Sequence, residues 1–140
     1  MRSCSLKPIS LLPAFVLCAA LLYTLGGAAA ELEPQTNQTD GVSISVKPTD
    51  VSAESKSWRF QVALNTHSGN LGDDLARSAS LVDAAGKQYP ALGWDGDPAG
   101  GHHRKGVLRF KALSPRPEAI ELRILRLGEA SPRVFRWNLK

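Results

Sequence analysis

The sequence predicts an all-β fold, a small antiparallel β-sandwich of immunoglobulin-like type. From Gly41 to the C-terminus, apolar and polar residues alternate with a period of two, which is typical of strands with one buried face. These segments number about seven, and glycine- and proline-containing turns separate them at the intervals of a sandwich. Only residues 72–79 have the pattern of a helical turn, which Asp73 or Asp74 could cap.

The first half of the predicted domain contains its most regular strands. Val42, Ile44 and Val46 alternate with polar residues, and Pro48 is expected to block further pairing. The next strand should be central, because its inner face is made of large apolar side chains: Trp58, Phe60, Val62 and Leu64. Residues 79–92 predict two short strands around a turn at residues 83–87, where Gly86 can take a positive φ.

Three more strands complete the predicted set, beginning at Val107, Ala119 and Arg133. The last strand alternates in the same way, so its apolar side chains should share the inward face: Phe135, Trp137 and Leu139.

The first thirty residues have the pattern of a secretory signal. Arg2 and Lys7 precede an uncharged apolar run, and the small residues Ala28 and Ala30 end it. This predicts an N-terminal signal helix, residues 1–30, cut before Glu31, and therefore a periplasmic or secreted protein. An uncleaved inner-membrane anchor is the alternative, because the apolar run approaches the roughly 20 residues that a membrane helix needs.

Removing residues 1–30 would leave 110 of the 140 residues, enough for one domain. Residues 31–40 are polar without an apolar period, so we expect a flexible leader there and the sandwich at residues 41–140. Both cysteines, Cys4 and Cys18, lie in the signal. The processed chain would therefore have no disulfide and no thiolate ligand.

Charge is distributed unevenly along the chain. Residues 31–103 hold 5 Lys or Arg and 10 Asp or Glu, whereas residues 104–140 hold 10 and 3. A basic segment can bind nucleic acid or anionic lipid. Here the cations alternate with apolar residues, so we expect them on the wet faces of strands, where they could pair with the acidic first half. We expect no nucleic-acid partner, and membrane contact only through an uncleaved signal.

All three histidines lie in predicted loops or at strand ends. His67 follows the strongest strand, and His102 and His103 lie in the run WDGDPAGGHHRKG at residues 94–106. If the two loops meet at one end of the sandwich, imidazoles could converge with Asp95 and Asp97 into a zinc or copper(II) site. The alternative is that the histidines donate to backbone carbonyls and only shape the loops.

Trp94 and Arg104 are the remaining candidate binding residues. Trp94 could stack on a sugar or a partner, or it could cover the end of the core. The glycines before Arg104 could expose amides to an anion, with Arg104 adding charge, or could form a solvated loop. The sequence contains no nucleophile elbow and no zinc-protease helix motif. An enzyme is therefore not expected.

Two short segments carry a resemblance to a known family. The runs THSG at residues 66–69 and GGHHR at residues 100–104 resemble those of small exported or lipid-anchored bacterial and archaeal proteins of unassigned function. The resemblance extends from about Val42 to the C-terminus. It implies export and an all-β fold, and it implies no catalytic residue.

Together these features predict an exported, non-enzymatic binding module that uses a loop cluster of His, Asp and Trp, with a transition metal ion as the most specific ligand. The alternative is a structural or interaction module of the cell envelope that docks another protein through a strand edge and holds no ligand at the histidine loops.

Overall fold

The computed structural model describes residues 32–140, and the predicted signal at residues 1–30 lies outside them. Over residues 32–140 the fold is all-β with one short helix, α1 (Leu75–Ser78). The strands are β1 (Gln35–Thr39), β2 (Val42–Asp50), β3 (Ser57–Thr66), β4 (Ala79–Asp83), β5 (Gln88–Pro90), β6 (Gly93–Gly96), β7 (His103–Lys111), β8 (Ala119–Ile124) and β9 (Arg133–Asn138). Within residues 32–140, no helix has the length and apolar content needed to cross a membrane.

The strands form two antiparallel sheets. Sheet A has five strands in the order β1-β2-β3-β7-β6, and sheet B has four in the order β5-β4-β8-β9. The predicted central strand is β3, whose apolar side chains are fully buried. It pairs with both β2 and β7, so the prediction is confirmed.

The core lies between the two sheets. Because side chains alternate along each strand, one face of each sheet points into the core. Trp58 and Phe60 of β3 pack with Phe110 of β7, and the ring of Phe60 also lies 5.9 Å from that of Trp137 on β9. Trp58 and Trp137 are buried, as predicted. The turn predicted at residues 83–87 is also present, with Gly86 at φ 84°.

Among residues 32–140 the structure has nine strands instead of about seven, and the two that were not predicted are β1 and β6. Strand β1 lies within the segment expected to be a flexible leader and pairs with β2 along its whole length. Its polar residues show no apolar period because it is bound at an edge. The side chain of Gln35 makes two hydrogen bonds to the backbone of Arg136 on β9, one of them from the Arg136 N–H to Gln35 Oε1 at 3.0 Å.

The expectation that Pro48 blocks pairing is wrong. Strand β2 continues to Asp50, and Pro48 lies opposite Phe60 with its side chain buried. The register shifts between Pro48 and Asp50. A proline has no N–H to donate to the neighbouring strand. The pairing of β2 with β3 therefore continues past Pro48 through a local irregularity of the β-bulge kind.

Four connections meet at one end of the sandwich, which we call the loop end. They are residues 40–41, 67–74, 97–102 and 125–132, which follow β1, β3, β6 and β8. Register places these connections together, because Val42 pairs with Thr66 and Asn65 pairs with His103. The helix α1 also lies here, capped by Asp74, whose side chain accepts from the Arg77 N–H.

Candidate functional site

The two histidine loops lie side by side at the loop end. The Thr66 N–H donates to the His102 carbonyl at 2.9 Å, and the Leu71 N–H donates to the Gly101 carbonyl at 3.0 Å. The Gly100 N–H in turn donates to the Leu71 carbonyl at 2.9 Å. The backbone of residues 97–102 therefore continues the contact between β3 and β7. The two loops meet, which is the first condition of the metal prediction.

The three histidines are exposed on these loops. His103 begins β7 opposite Asn65, and its Nδ1 lies 2.7 Å from Asn65 Oδ1. His67 and His102 are exposed in the connections themselves. Among residues 32–140, no group of three or more His, Cys, Asp or Glu side chains could hold a metal ion. Binding of zinc or copper by these histidines stays a prediction.

The two candidate carboxylates are engaged within the protein. Asp95 lies on β6 and forms an ion pair with Arg109 of β7. The hydrogen bond from Arg109, with the charge of the same guanidinium, holds the pKa of Asp95 below its ordinary value of 3.8. Asp97 accepts the Lys105 N–H at 2.9 Å, which closes the start of the β6–β7 loop.

Trp94 covers one end of the core, as its alternative interpretation predicted. It is half-buried against the core cluster, and its Nε1 donates to the Asp97 carbonyl at 2.8 Å. Two paired glycines make room for the indole. A Cβ atom on Gly106 would lie 2.7 Å from Trp94 Cζ2, and one on Gly96 would lie 2.8 Å from the same atom.

Arg104 is not in a solvated loop but buried on β7, with 3% of its surface exposed. Strand alternation places position 104 on the same inward face as Leu108. One guanidinium nitrogen donates to the carbonyls of Leu71 and Asp73, at 2.9 and 2.7 Å. The guanidinium carbon also lies 5.6 Å from the centroid of the Trp94 ring. Arg104 therefore fastens the His67 loop to sheet A and is not presented to an external anion.

A buried ion-pair network fixes the neighbouring β8–β9 loop. Asp73 is 3% exposed, and Arg126 donates to its Oδ2 through two nitrogens, at 3.1 and 3.0 Å. The Leu127 N–H donates to Oδ1 of the same carboxylate at 2.8 Å. Arg126 also lies 3.8 Å from Glu129. Both oxygens of Asp73 are thus used to hold the loop.

Arg133 extends this network to the first strands. Its guanidinium forms an ion pair with Glu129, and it donates to the carbonyls of Val42 and Thr39 at 2.7 and 2.9 Å. Arg133 is 5% exposed, so the expectation that the cations of the last strands lie on wet faces fails at this position. It lies on the inward face of β9 and joins the β8–β9 loop to the β1–β2 turn.

The loop held in this way exposes two leucines. Leu127 is 87% exposed and Leu125 is 46% exposed, while Leu122 and Ile124 before them are buried. The sequence analysis did not single them out, although they are out of phase with the alternating Ile120, Leu122 and Ile124 of β8. That change of phase was one signal, and Gly128, which has φ 85° and follows Leu127 directly, was another.

Two grooves lie away from these loops. One, of about 450 Å³, lies on the outer face of sheet B over Val82, with Glu121 between Arg123 and Arg136. The other, of about 790 Å³, lies near Val51 and Leu139. Neither is lined by a residue of the histidine loops.

No family model, no curated protein and no solved structure matches the chain. The family resemblance drawn from the two histidine segments stays a prediction. Function is therefore argued from the geometry of the loop end.

Proposed function

We propose that the protein is an exported, non-enzymatic interaction module of the cell envelope that docks a partner protein through its loop end. The observation that carries the proposal is the β8–β9 loop, where Leu127 is 87% exposed on a backbone held by the buried carboxylate of Asp73. Leu127 is therefore an exposed apolar side chain on an ordered backbone, and a partner protein could bury it without first ordering the loop.

The energetics favour docking at this loop. Burying a leucine side chain contributes about 1.5 to 3 kcal/mol. Ordering a flexible loop on binding would consume part of that gain, but the bonds from Asp73 to Arg126 and Leu127 order this loop in the free protein. The exposed His67 and His102 at the same end supply polar groups of the kind found at the rim of an interface.

The two edges of sheet B are less suited to docking than the loop end. The β9 edge of sheet B is engaged by the side chain of Gln35, which bonds the backbone of Arg136. The β5 edge is three residues long and contains Pro90, a residue that discourages added strands. These features favour the loops over the edges of sheet B as the place where a partner docks.

We also propose that the sandwich is immunoglobulin-like. With β2 taken as the first strand, sheet A has the order of strands A, B, E and D, and sheet B adds a C′ strand to C, F and G. In this correspondence β1 is an additional edge strand. Loops at one end of such sandwiches commonly bind partners, which is an analogy in favour of the proposal.

Export is supported by the sequence, because residues 1–30 have the charge, apolar run and small-residue exit of a cleavable signal.

A non-enzymatic role is supported by the carboxylates of Asp95 and Asp97, which accept hydrogen bonds from Arg109 and from the Lys105 N–H. Neither is available as a general base beside the histidines.

The proposal can be tested by site-specific photo-cross-linking in cells that export the protein. A photoreactive residue is placed at position 127, or at position 92 as a control, since Leu92 is also an exposed leucine at 57%. We expect position 127 to give a discrete cross-linked envelope protein that position 92 does not give. The same products from both positions, or none from position 127, would contradict docking through the loop end.

A further inference from the structure

The outer face of sheet A is the second unusual surface of the molecule. Residues that pair across neighbouring strands share a face, so Lys105 lies beside Ala63, and Arg59 lies between Asp50 and Arg109. This face carries five cations and two acids: Lys47, Arg59, Lys105, Arg109 and Lys111, with Asp50 and Asp95. It therefore has an excess of positive charge.

The two acids leave part of that charge without a counter-charge. Asp95 pairs with Arg109, and Asp50 accepts hydrogen bonds from Ser52 and Ser55. Among residues 32–140, Arg59, Lys105 and Lys111 form no ion pair, and all three are exposed. The charge of Arg59 does contribute to the lowered pKa of both Asp50 and Asp95, so these acids partly offset it, but the five cations of the face still exceed its two acids by three. The outer face of sheet B differs, because Glu121 there contacts both Arg123 and Arg136.

The shape of the face distinguishes among anionic partners. Neither groove described above is lined by Arg59, Lys105 or Lys111. The face presents no Phe, Tyr or Trp, since the side chains between its cations are small or polar, such as Ser45, Gln61 and Ala63. Proteins that hold a single-stranded polyanion combine a basic groove with aromatic stacking platforms, and both are missing from this face among the described residues.

A flat array of cations fits a flat array of anions. Lys105 and Lys111 are six residues apart on β7, so their Cα atoms are separated by about 20 Å, and Arg59 lies one strand away at about 5 Å from β7. Each Lys or Arg near an anionic bilayer contributes to binding independently of a shaped pocket.

We propose that the outer face of sheet A binds the surface of a membrane containing anionic phospholipid, through Arg59, Lys105 and Lys111. This attraction is electrostatic and peripheral, so salt weakens it. It is independent of the leucines of the loop end. The protein would thus lie against the bilayer through one sheet while its loops remain free for a protein partner.

The test uses residues 31–140, which contain the whole core described above. The protein is sedimented with vesicles of phosphatidylglycerol mixed with phosphatidylcholine, and with vesicles of phosphatidylcholine alone. The variant Arg59→Gln, Lys105→Gln, Lys111→Gln is compared with Arg77→Gln, Lys87→Gln, Arg136→Gln, which removes the same charge from exposed positions off this face.

We expect binding to the anionic vesicles only, and a loss of at least about tenfold in partitioning for the first variant while the second binds as wild type. Equal losses in both variants, or no loss in either, would overturn the assignment of this face. Tighter binding to a soluble anionic polysaccharide than to the vesicles, at equal anion concentration, would overturn the membrane as the partner.

Discussion

At the scale of single residues, the most informative side chain is Arg104. It is a cation inside the protein whose partners are three backbone carbonyls, those of Leu71, Asp73 and Asp97, and the face of Trp94. Hydrogen bonds from a charged group are stronger than neutral ones, and losing them would leave the Asp73 carbonyl without its donor. Arg104 therefore belongs to the structural framework that positions the histidine loops.

Replacing Arg104 with Met should lower the free energy of unfolding by about 2 to 4 kcal/mol, because the Asp73 carbonyl loses its donor and the Leu71 carbonyl keeps only the Gly100 N–H. The measurement is urea denaturation. The matched control is Lys105→Met, which removes an exposed cation from the next position and should change stability by less than about 0.5 kcal/mol. Similar losses in both variants would show that Arg104 is not a structural residue.

Glu121 gives a residue-scale prediction about pH. Its hydrogen bonds from Arg136, and then from Arg123, hold its pKa below the ordinary value of 4.5. A carboxyl whose pKa is lower in the folded state stabilises that state above the unfolded pKa. This contribution is lost as the pH falls through the lowered folded value.

We therefore expect the Glu121 carboxyl to titrate below 4.5 in the folded protein, and Arg136→Gln to raise that midpoint. The measurement is an NMR titration of the Glu121 side chain. Lys140→Gln serves as the control, because Lys140 pairs with Glu118. A midpoint that stays the same in Arg136→Gln would contradict the assigned ion pair.

Residue-scale chemistry was only partly predictable from the sequence. The meeting of the loops of His67 and His102 was only a condition of the metal prediction, because it depends on the pairing of β3 with β7, which the sequence did not indicate. The engagement of Asp95 by Arg109 did not follow, since it depends on a register that places them on adjacent strands. The burial of Arg104 follows from its alternation with Leu108, a signal obscured by the neighbouring glycines and histidines.

At the scale of elements, β6 shows how a strand can exist without apolar alternation. Its residues Gly93–Gly96 pair with β7, and the close approach of Gly96 and Gly106 leaves space for the Trp94 indole. A side chain at either glycine would collide with backbone atoms of the other strand. The strand depends on the close backbone approach that its glycines allow. A search for apolar alternation does not detect this feature.

Gly106→Ala should destabilise the protein by about 1 to 3 kcal/mol, because the new Cβ would lie 2.6 Å from the Asp95 carbonyl oxygen and the backbone would have to shift. Thermal or urea unfolding measures the change. In Gly72→Ala the added Cβ meets nothing within 4 Å, so this control should stay within about 0.5 kcal/mol of wild type. An equally small effect at position 106 would refute the packing role of the glycine pair.

The strands with alternating patterns were predictable because burial on one face imposes the pattern, as in β3 and β9. Strand β1 was not, because contacts with β9 of the other sheet help to hold it. The Gln35 side chain of β1 accepts the Arg136 N–H, and the Arg133 side chain of β9 donates to the Thr39 carbonyl. These contacts join residues about a hundred positions apart, and nothing local in the polar sequence indicates them.

At the scale of the whole molecule, the charge asymmetry of the chain is only partly cancelled in the fold. The basic C-terminal third supplies Arg109 and Arg126, which pair with Asp95 and Asp73 of the acidic part. Lys105 and Lys111 of β7 lie on the outer face of sheet A. The molecule therefore has three distinct surfaces: a cationic sheet, a sheet whose two outer arginines share the Glu121 carboxylate, and a loop end with exposed leucines.

The central claim is that the loop end docks a partner protein through its leucines. The most direct measurement is isothermal titration of the purified protein with the envelope protein cross-linked at position 127. We expect Leu127→Asp to raise the Kd at least about tenfold, while Leu92→Asp binds as wild type. Unchanged affinity in Leu127→Asp, or an equal loss in Leu92→Asp, would contradict the claim.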